Sequence, residues 1–353
     1  MNLVTPIDQY TGYGISGYNI FNSLYEIDPE LALFFVAPPN LDTLWNKHNI
    51  LESVNRAYNF NPDAPCFKLW FASELFLRTA GKSKYGALSF FEIDTVPEKD
   101  FAGYNLLDII FTPSSWAKSI LERYNIKTPI VVCPQGVDTN TFSPTIPPDK
   151  KDTYIFINIG KWEIRKGHDQ LVHMFNNAFE PEDDVELWMV NSNPFLSPEA
   201  EKQWHKIYQT SKLGDKIRIL PRIENQKLLS SVMAYADCGI LPSRAEGWNN
   251  EAIEIMAMNK ALIITDYSAH TEYCNSDNSY LIDILEKEPA RDNIWFNGIG
   301  NWAKLNSNTM DQAVEHMRYV YKNQIRSNAK GLETAQNHSW AKTAKTIYDN
   351  MLQ

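Results

Sequence analysis

The feature that most constrains how this chain folds is a regular alternation of short apolar runs with segments of helical periodicity. The alternation runs through the first part of the chain and restarts after the stretch "TIPPDKKDT". Strands that alternate with helices form parallel sheets covered by helices on both faces. The chain is therefore predicted to be an α/β protein with two doubly wound, Rossmann-like domains.

The element boundaries follow from these runs. The predicted strands are 31–36, 67–72, 87–92, 108–111, 130–133, 154–159, 186–190, 217–220, 238–241 and 261–265. The predicted helices are 114–124, 168–177, 226–235, 251–258 and 339–352. The proline-rich, charged stretch 144–152 is the predicted linker. We therefore expect domains at 1–147 and 148–337, and a helix at 338–353 that packs back on the first domain.

Two such domains also predict where a ligand binds. Ligands of parallel sheets bind beyond the carboxyl ends of the strands, at a topological switch point. With two domains facing each other, the cleft between them is the expected site.

Charge and composition exclude several classes of function. The net charge is −10 and is shared evenly by the two parts of the chain, so a nucleic-acid partner is not expected. One short cationic cluster, Arg78, Lys82 and Lys84, fits either a solvated loop or a contact with an anionic acceptor. No apolar run is long enough to span a bilayer, and the first residues lack a signal-peptide pattern. We expect a cytoplasmic protein, with peripheral membrane contact left open.

The four cysteines are scattered, with no paired spacing typical of a metal site or a redox motif. They are expected to be reduced and buried. No bound metal is expected from these residues.

The stretch "SRAEGWNNEAIEIMAMNKALIITD" predicts a loop, a helix and a buried strand. Asn249 and Asn250 are good N-cap residues, and Asn259 can adopt the left-handed conformation that ends a helix. The amides at 247–250 would form an anion site, while Glu246 and Glu254 could accept hydrogen bonds from hydroxyl groups. Together these groups suit a nucleotide-sugar. By itself, the stretch fits a capped surface helix with acidic side chains equally well.

Two further stretches predict phosphate contacts. In "NIGKWEIRKGHDQLVHMF", Gly160, Lys161, Arg165 and Lys166 follow a strand and precede a helix, where lysines can face phosphate oxygens. In "QYTGYGISGYNIFNSL", three glycines at 12, 14 and 17 precede a predicted helix. Their spacing matches a dinucleotide-binding loop. That motif is not assigned, because no well-formed strand is predicted before them and no acid follows at the expected distance, Asp28 and Glu30 being too close.

Together with "VVCPQGVDTNTFSP" at 131–144, these stretches resemble, in order, the retaining glycosyltransferases of family 4. The resemblance covers most of the chain. It implies the GT-B fold, in which two Rossmann-like domains face each other across a cleft. It also implies that this chain transfers a sugar from a nucleotide-sugar.

The resemblance implies a role for each matching residue. Lys161 and Lys166 would neutralise the donor diphosphate, Glu246 would bind hydroxyls of the transferred sugar, and Glu254 would hold the ribose. The implied donor-binding residues are Gly12, Gly14, Lys161, Lys166, Arg222, Ile223, Glu246, Gly247, Trp248, Asn249, Asn250 and Glu254. The candidate catalytic residues are Lys166, Glu246, Lys161 and Glu92.

The chain departs from the family pattern at two of these places. Lys161 stands where the family usually has Arg, which removes a bidentate contact with phosphate. Where many relatives have a His in the first domain, this chain has "SFFEIDTVPEKD", and Glu92 is the proposed substitute. An ordinary solvated acid at a strand end is the alternative for Glu92. His270 is expected to be a structural residue.

The predicted function is therefore hexosyl transfer with retained configuration, from a UDP-sugar or, second, a GDP-sugar. The acceptor would be a hydroxyl of a glycan, a lipid-linked or a small molecule. No metal or other cofactor is expected, because the two lysines and the helix N-terminus would meet the leaving-group charge. The alternatives are a sugar-nucleotide epimerase, a phosphorylase, or a nucleotide-sugar-binding subunit without turnover.

Overall fold

The structure is a computed structural model that describes residues 1–353 except 42, 43, 79, 222, 224 and 293. The chain forms two compact units, each with its own core. The first comprises Met1–Val137 and His338–Gln353, and the second comprises Asp138–Ile223 and Lys227–Asn337.

The first unit is built on a six-stranded sheet in the order β2-β1-β3-β4-β5-β6, and every pairing in it is parallel. Its first elements in chain order are β1 (Asn2–Thr5), α1 (Gly12–Ile27), β2 (Ala32–Phe35), α2 (Lys47–Ala57), β3 (Cys66–Leu69), β4 (Tyr85–Leu88), α3 (Glu98–Asn105), β5 (Ile109–Thr112), α4 (Ser115–Arg123) and β6 (Ile130–Val132). The four central strands, β1, β3, β4 and β5, are buried along their whole length, as expected for a parallel sheet covered on both faces.

The second unit has another six-stranded parallel sheet, in the order β12-β11-β10-β7-β8-β9, and a separate antiparallel hairpin, β13–β14. Its elements are β7 (Tyr154–Gly160), α5 (His168–Ala178), β8 (Val185–Asn191), α6 (Pro198–Gln209), β9 (Ile217–Ile219), α7 (Gln226–Met233), β10 (Cys238–Leu241), α8 (Asn250–Ala257), β11 (Ala261–Asp266), β12 (Tyr280–Asp283), β13 (Lys287–Arg291), β14 (Asn297–Ala303), α9 (Ser307–Lys322) and α10 (Ala329–Asn337). The order reverses between β7 and β10, so the loops after these two strands meet at the switch point of the sheet.

The last helix, α11 (Trp340–Leu352), belongs to the first unit and packs on α1. Its side chains Trp340, Ala344, Ile347 and Met351 are part of that unit's core. They recur at helical spacing, so one face of the helix is apolar.

The chain enters the second unit at Asp138, ahead of the proline-rich stretch 144–152. Two residues of that stretch are tied to the second unit. The Lys150 ammonium lies 3.0 Å from an Asp237 carboxylate oxygen, and Tyr235 donates a hydrogen bond to Asp149. These contacts hold the end of the proline-rich stretch on the second unit.

The strands and helices predicted from the sequence are all present, and most of them have shifted ends. The prediction that no strand precedes the glycines was wrong, because β1 lies there, paired on both sides and buried. Its four residues begin and end with polar side chains, Asn2 and Thr5, so they do not read as an apolar run. The short strand β12 and the hairpin were also not predicted.

The glycine segment itself is helical rather than a loop. Thr11 caps α1 by accepting a hydrogen bond from the Gly14 amide at 2.9 Å, so the helix begins at Gly12. A side chain at Gly14 would collide with the Asp8 carboxylate, which accepts a hydrogen bond from the Thr11 amide. The prediction that these glycines precede the helix was therefore wrong, and close packing accounts for Gly14.

The four cysteines are buried and unbridged, as predicted. Among the described residues, no helix combines the length and the apolar character that crossing a membrane requires.

Candidate active site

The loop that follows β7 carries the lysines of the predicted phosphate site. Gly160 ends the strand with φ +143°, and a side chain there would collide with the stem of Lys166. Glycine at this position therefore lets Lys166 fold back over the strand end. The Lys166 side chain is only 8% exposed, so its ammonium group is held in place.

The Lys166 ammonium is directed at Glu246, in the loop that follows β10. Its Nζ lies 3.0 Å from Glu246 Oε1, and Ser243 donates to the same oxygen at 2.9 Å. Arg165 donates to Glu246 Oε2 at 2.6 Å. Among the described residues, Oε1 thus accepts from two donors and Oε2 from one, which leaves Oε2 able to accept another hydrogen bond.

These contacts fix the charge state of the pair. Burial raises the pKa of Glu246, but Arg165 and Lys166 outweigh burial and hold it well below its ordinary value. Burial lowers the pKa of Lys166, but Glu246 and Glu251 raise it above its ordinary value. Glu246 is therefore a carboxylate and Lys166 an ammonium ion at neutral pH.

Lys161 lies in the same loop but has a different environment. Its side chain is 42% exposed, its Nζ lies 2.9 Å from Glu163, and it lies over the ring of Phe195. Glu163 also accepts a hydrogen bond from Arg165 at 2.8 Å. Lys161 is thus a surface cation, whereas Lys166 is a buried one.

A reciprocal pair of arginines holds the two loops together. Arg165 reaches across to the Ala245 carbonyl and to Glu246, while the Arg244 amide donates to the Arg165 carbonyl. The Arg244 guanidinium makes two hydrogen bonds to Asp169, at 2.7 and 2.9 Å, and one to Glu288 of the hairpin. The loops and the base of the hairpin therefore form one rigid assembly.

The start of α8 is set by Asn249, the N-cap residue. It has φ +82°, a conformation that Asn tolerates better than most residues, and its Oδ1 accepts from the Ala252 amide. Its Nδ2 therefore lies 2.9 Å from His270 Nε2. Because an amide NH₂ group can only donate, His270 Nε2 is the acceptor of this hydrogen bond. The other ring nitrogen, Nδ1, must carry the proton and donates to the Thr265 carbonyl at 2.9 Å.

His270 is consequently neutral. It is fully buried, and burial lowers its pKa to about 4. Both ring nitrogens are used within the protein, as expected for a structural histidine. Its contribution to the site is to hold Asn249.

The N-terminus of α8 offers polar groups to a ligand. First-turn amides have no acceptor within the helix. The Asn249 cap accepts from the Ala252 amide only, so the amides of Asn250 and Glu251 can donate to a ligand. Among the described residues, the buried Asn250 Oδ1 also has no hydrogen-bond partner. Trp248 is buried against Tyr273, whose hydroxyl donates to the Trp248 carbonyl. The backbone of this turn is thus immobilised.

Glu254, one turn into α8, is a buried carboxyl group that forms no ion pair with any described residue. It is 5% exposed, and no described residue donates a hydrogen bond to it. Burial, the Glu251 carboxylate and the Asp138 carboxylate raise its pKa well above the ordinary value. A buried acceptor of this kind is stabilised when a ligand supplies hydroxyl donors.

The structure brings together many, but not all, of the residues predicted for the site. One group lies in the two loops and the helix start of the second unit: Lys161, Lys166, Glu246, Gly247, Trp248, Asn249, Asn250 and Glu254. Ile223 lies in the loop after β9, and Arg222 lies outside the described residues. Gly12, Gly14 and Glu92 belong to the first unit. Glu92 was predicted at a strand end, but β4 ends at Leu88, so Glu92 lies in the following loop.

Sequence reasoning missed the residues that orient Glu246. Ser243 contacts it directly but was assigned no role, and Arg165, which was predicted only as part of a phosphate-contact loop, forms its closest ion pair. The two loops carry no periodicity, so the facing direction of Arg165 could not be read from its position beside Lys166. The alternation of Lys, Glu and Arg at 161–166 was the available signal.

Among the described residues, no group of three or more His, Cys, Asp or Glu side chains is placed to hold a metal ion. The polar features of this site are the first amides of α8, the ammonium groups of Lys161 and Lys166, and the carboxyl groups of Glu246 and Glu254.

Part of the chain matches a known family by sequence. Residues 153–291 match the model of the family described as glycosyl transferases group 1. The matched segment contains both loops and α8. No curated protein matches the chain by sequence.

Solved structures resemble the whole chain. Sucrose-phosphate synthase from Thermosynechococcus elongatus is 15% identical, with a TM-score of 0.74, and 99% of this chain and 97% of that chain are covered. Anabaena HepE in complex with UDP and glucose is 11% identical, with a TM-score of 0.74 and 99% of each chain covered. A glycosyltransferase from Rickettsia africae is 16% identical, with a TM-score of 0.69, covering 100% of this chain and 98% of that one. At these identities the likeness shows the fold, and it confirms the predicted class of two Rossmann-like α/β units of the GT-B type.

Proposed function

We propose that this protein is a retaining glycosyltransferase that moves a hexosyl group from a nucleotide-sugar to an acceptor hydroxyl. The observation that carries the proposal is the cluster formed by Lys166, Glu246, the first amides of α8 and the buried Glu254, to which no described residue donates a hydrogen bond. This cluster offers cation and amide donors for a diphosphate beside carboxyl groups for hydroxyls. It also lies in the segment that matches glycosyl transferases group 1.

In the proposed reaction, the bond from the sugar anomeric carbon to the diphosphate oxygen breaks, and a bond to the acceptor oxygen forms. The acceptor proton passes to the departing diphosphate, on the same face of the sugar. Negative charge grows on the leaving oxygen, where Lys166 and the amides of α8 stabilise it. Lys161, being exposed, adds a second cation as the diphosphate departs.

The other assignments follow the chemistry of each group. Among the residues that the structure describes, only Arg165 donates to Glu246 Oε2, which leaves that oxygen an acceptor position suited to a sugar hydroxyl. Glu254 accepts the ribose hydroxyls, and Ile223 flanks the base. Roles for Arg222, Gly12, Gly14 and Glu92 in holding donor or acceptor stay predictions from the sequence.

For the donor we favour UDP-sugars, with GDP-sugars second. Support for UDP comes from two structures of similar fold, HepE bound to UDP and glucose and a trehalose-6-phosphate synthase bound to UDP-2-fluoro-glucose. The acceptor would be a hydroxyl of a glycan, a lipid-linked or a small molecule. We propose that neither a metal nor another cofactor takes part.

A binding panel tests the proposal. Nucleoside diphosphates and nucleotide-sugars are added to the protein, and the melting temperature is measured, because a ligand of the native state raises it. We expect uridine or guanosine diphosphate and the matching sugars to raise the melting temperature, and adenosine compounds to have less effect. Acceptor-dependent release of nucleoside diphosphate, undiminished by a chelator, would then identify transfer. An epimerase would release none, and a phosphorylase would require inorganic phosphate.

The variant that tests the site is Lys166→Ala. Loss of the buried ammonium should lower turnover by about 10²-fold or more, since electrostatic stabilisation of the leaving group is lost. Lys304→Ala is the matched control, because Lys304 is an exposed lysine paired with Glu286 in the same unit. Turnover near the parent level in a folded Lys166→Ala protein would refute the assignment.

A further inference from the structure

Glu251 is an acid placed where the proposed function needs an anion to bind. It lies in the first turn of α8, and its Oε1 is 3.7 Å from the Lys166 ammonium. A carboxylate at a helix N-terminus is stabilised by the same first-turn amides that would hold a phosphate. Glu251 and a diphosphate therefore compete for one cation and one set of amides.

The rest of the cluster is already charge-matched. Lys161 pairs with Glu163, Arg165 pairs with Glu163 and Glu246, and Lys166 pairs with Glu246 and Glu251. An entering diphosphate thus has to displace a carboxylate from one of these cations or bind against its charge.

The contact between Lys166 and Glu251 is the ion pair of Lys166 that a diphosphate can break most easily. At 3.7 Å it is longer than a hydrogen bond, whereas the contact between Lys166 and Glu246 is 3.0 Å. Glu251 is also 24% exposed, while Glu246 is 6% exposed. Glu251 can turn towards solvent at little cost, and its negative charge then remains beside the diphosphate.

We propose that Glu251 is an affinity-determining residue that weakens the binding of nucleoside diphosphates by competing for Lys166 and the start of α8. This inference rests on the proposed function, since it assumes that a diphosphate binds there. The terminal phosphate of a nucleoside diphosphate has a second ionisation near neutral pH, which a nucleotide-sugar lacks. The product therefore carries more negative charge than the donor, and Glu251 repels the product more strongly. Its presence favours product release.

Isothermal titration with UDP, GDP and their glucose and mannose conjugates tests this inference on the wild-type protein and on Glu251→Gln. Gln keeps the size of the side chain and removes its charge. We expect Glu251→Gln to bind the diphosphate about tenfold more tightly at low salt. The gain for the nucleotide-sugar should be smaller, and both gains should shrink as salt is added.

A control variant separates this effect from a general change in charge. Asp311→Asn removes one negative charge from an exposed position on α9 and should leave both affinities unchanged. Steady-state inhibition by the diphosphate supplies a second readout. Its inhibition constant should fall in Glu251→Gln by more than the KM of the donor, a split that a purely structural role for Glu251 would not produce.

The possible results all decide the question. Unchanged or weaker diphosphate binding by Glu251→Gln, beside a wild-type protein that binds, overturns the inference and leaves the proposed function intact. An equal gain from Asp311→Asn also overturns it. If neither protein binds any of these nucleotides, both proposals fail, whereas binding by Glu251→Gln alone supports both.

Discussion

At the scale of single residues, the site contains two glutamates with opposite properties. Glu246 lies between Arg165 and Lys166 and is held ionised. Glu254 is equally buried, but the charges of Glu251 and Asp138 act on it, and no described cation pairs with it. The same side chain is therefore a fixed anion at one position and favours the neutral acid at the other.

The first prediction concerns the stability of the ligand-free protein and its dependence on Glu254. Burial, Glu251 and Asp138 raise the pKa of Glu254 above the value of 4.5 ordinary for the unfolded chain. At pH values between 4.5 and the pKa of Glu254 in the folded protein, the folded state holds a proton that the unfolded state lacks. The free energy of unfolding therefore falls as pH rises through this window.

Glu254→Gln removes this titration. The melting temperature of the variant should thus exceed that of the wild-type protein by more at pH 8 than at pH 5, and the difference between the two gains should be about 2–4 °C. Thermal unfolding of both proteins without nucleotide measures these melting temperatures. Glu315→Gln, at an exposed position of α9, serves as the control and should show no such trend. A gain that does not vary with pH would mean that Glu254 is ionised in the folded protein.

Several residue-scale features could be predicted from the sequence because they depend on local backbone chemistry. Asn259 has φ +58°, as expected for the end of α8, and Asn249 caps the same helix. The direction of Arg165 could not be predicted, since it depends on a loop that lies about eighty residues away in the chain. Local backbone conformation is determined by neighbouring residues, whereas contacts between loops depend on how the sheet brings those loops together.

At the scale of secondary structure elements, apolar runs were enough to locate most strands of both sheets. They failed for β1, where polar residues stand at both ends of a four-residue strand. They failed also for the hairpin, whose strands have largely exposed or half-buried residues and so lack a buried face. A continuous apolar run indicates a strand that is buried on both faces. Strands with another burial pattern are therefore not found by this criterion.

The second prediction concerns the start of α8, which depends on one residue. In Asn249→Ala, the cap is lost, the positive φ becomes strained, and His270 Nε2 is left buried without a donor. We expect the free energy of unfolding to fall by about 3 kcal/mol, measured by urea denaturation.

The matched control is Ser197→Ala, which removes the exposed N-cap of α6 at an extended backbone conformation. Its cost should be about 1 kcal/mol, that of a cap alone. Equal losses in the two variants would show that neither the backbone conformation nor the contact with His270 contributes. Capping alone would then be the role of Asn249, and Ser or Asp at that position would serve as well.

At the scale of the whole molecule, the chain builds two cores and returns to the first at its end. Ile347 of α11 is fully buried in the core of the first unit, although the second unit separates it from the rest of that unit in sequence. Met317 of α9 is fully buried in the core of the second unit. The two side chains provide a matched pair for testing whether each core stabilises its own unit.

In Ile347→Ala, the lost apolar contacts and the cavity should lower the stability of the first unit by about 2–5 kcal/mol. Hydrogen exchange followed by mass spectrometry should then show faster exchange in β1, β3 and β4, with β7 and β8 unchanged. Met317→Ala should give the reverse pattern. Local opening follows cooperative units, so each effect should stay within its own core. Faster exchange across both sheets in either variant would mean that the two units unfold together, and that the returning helix stabilises the whole chain rather than the unit it completes.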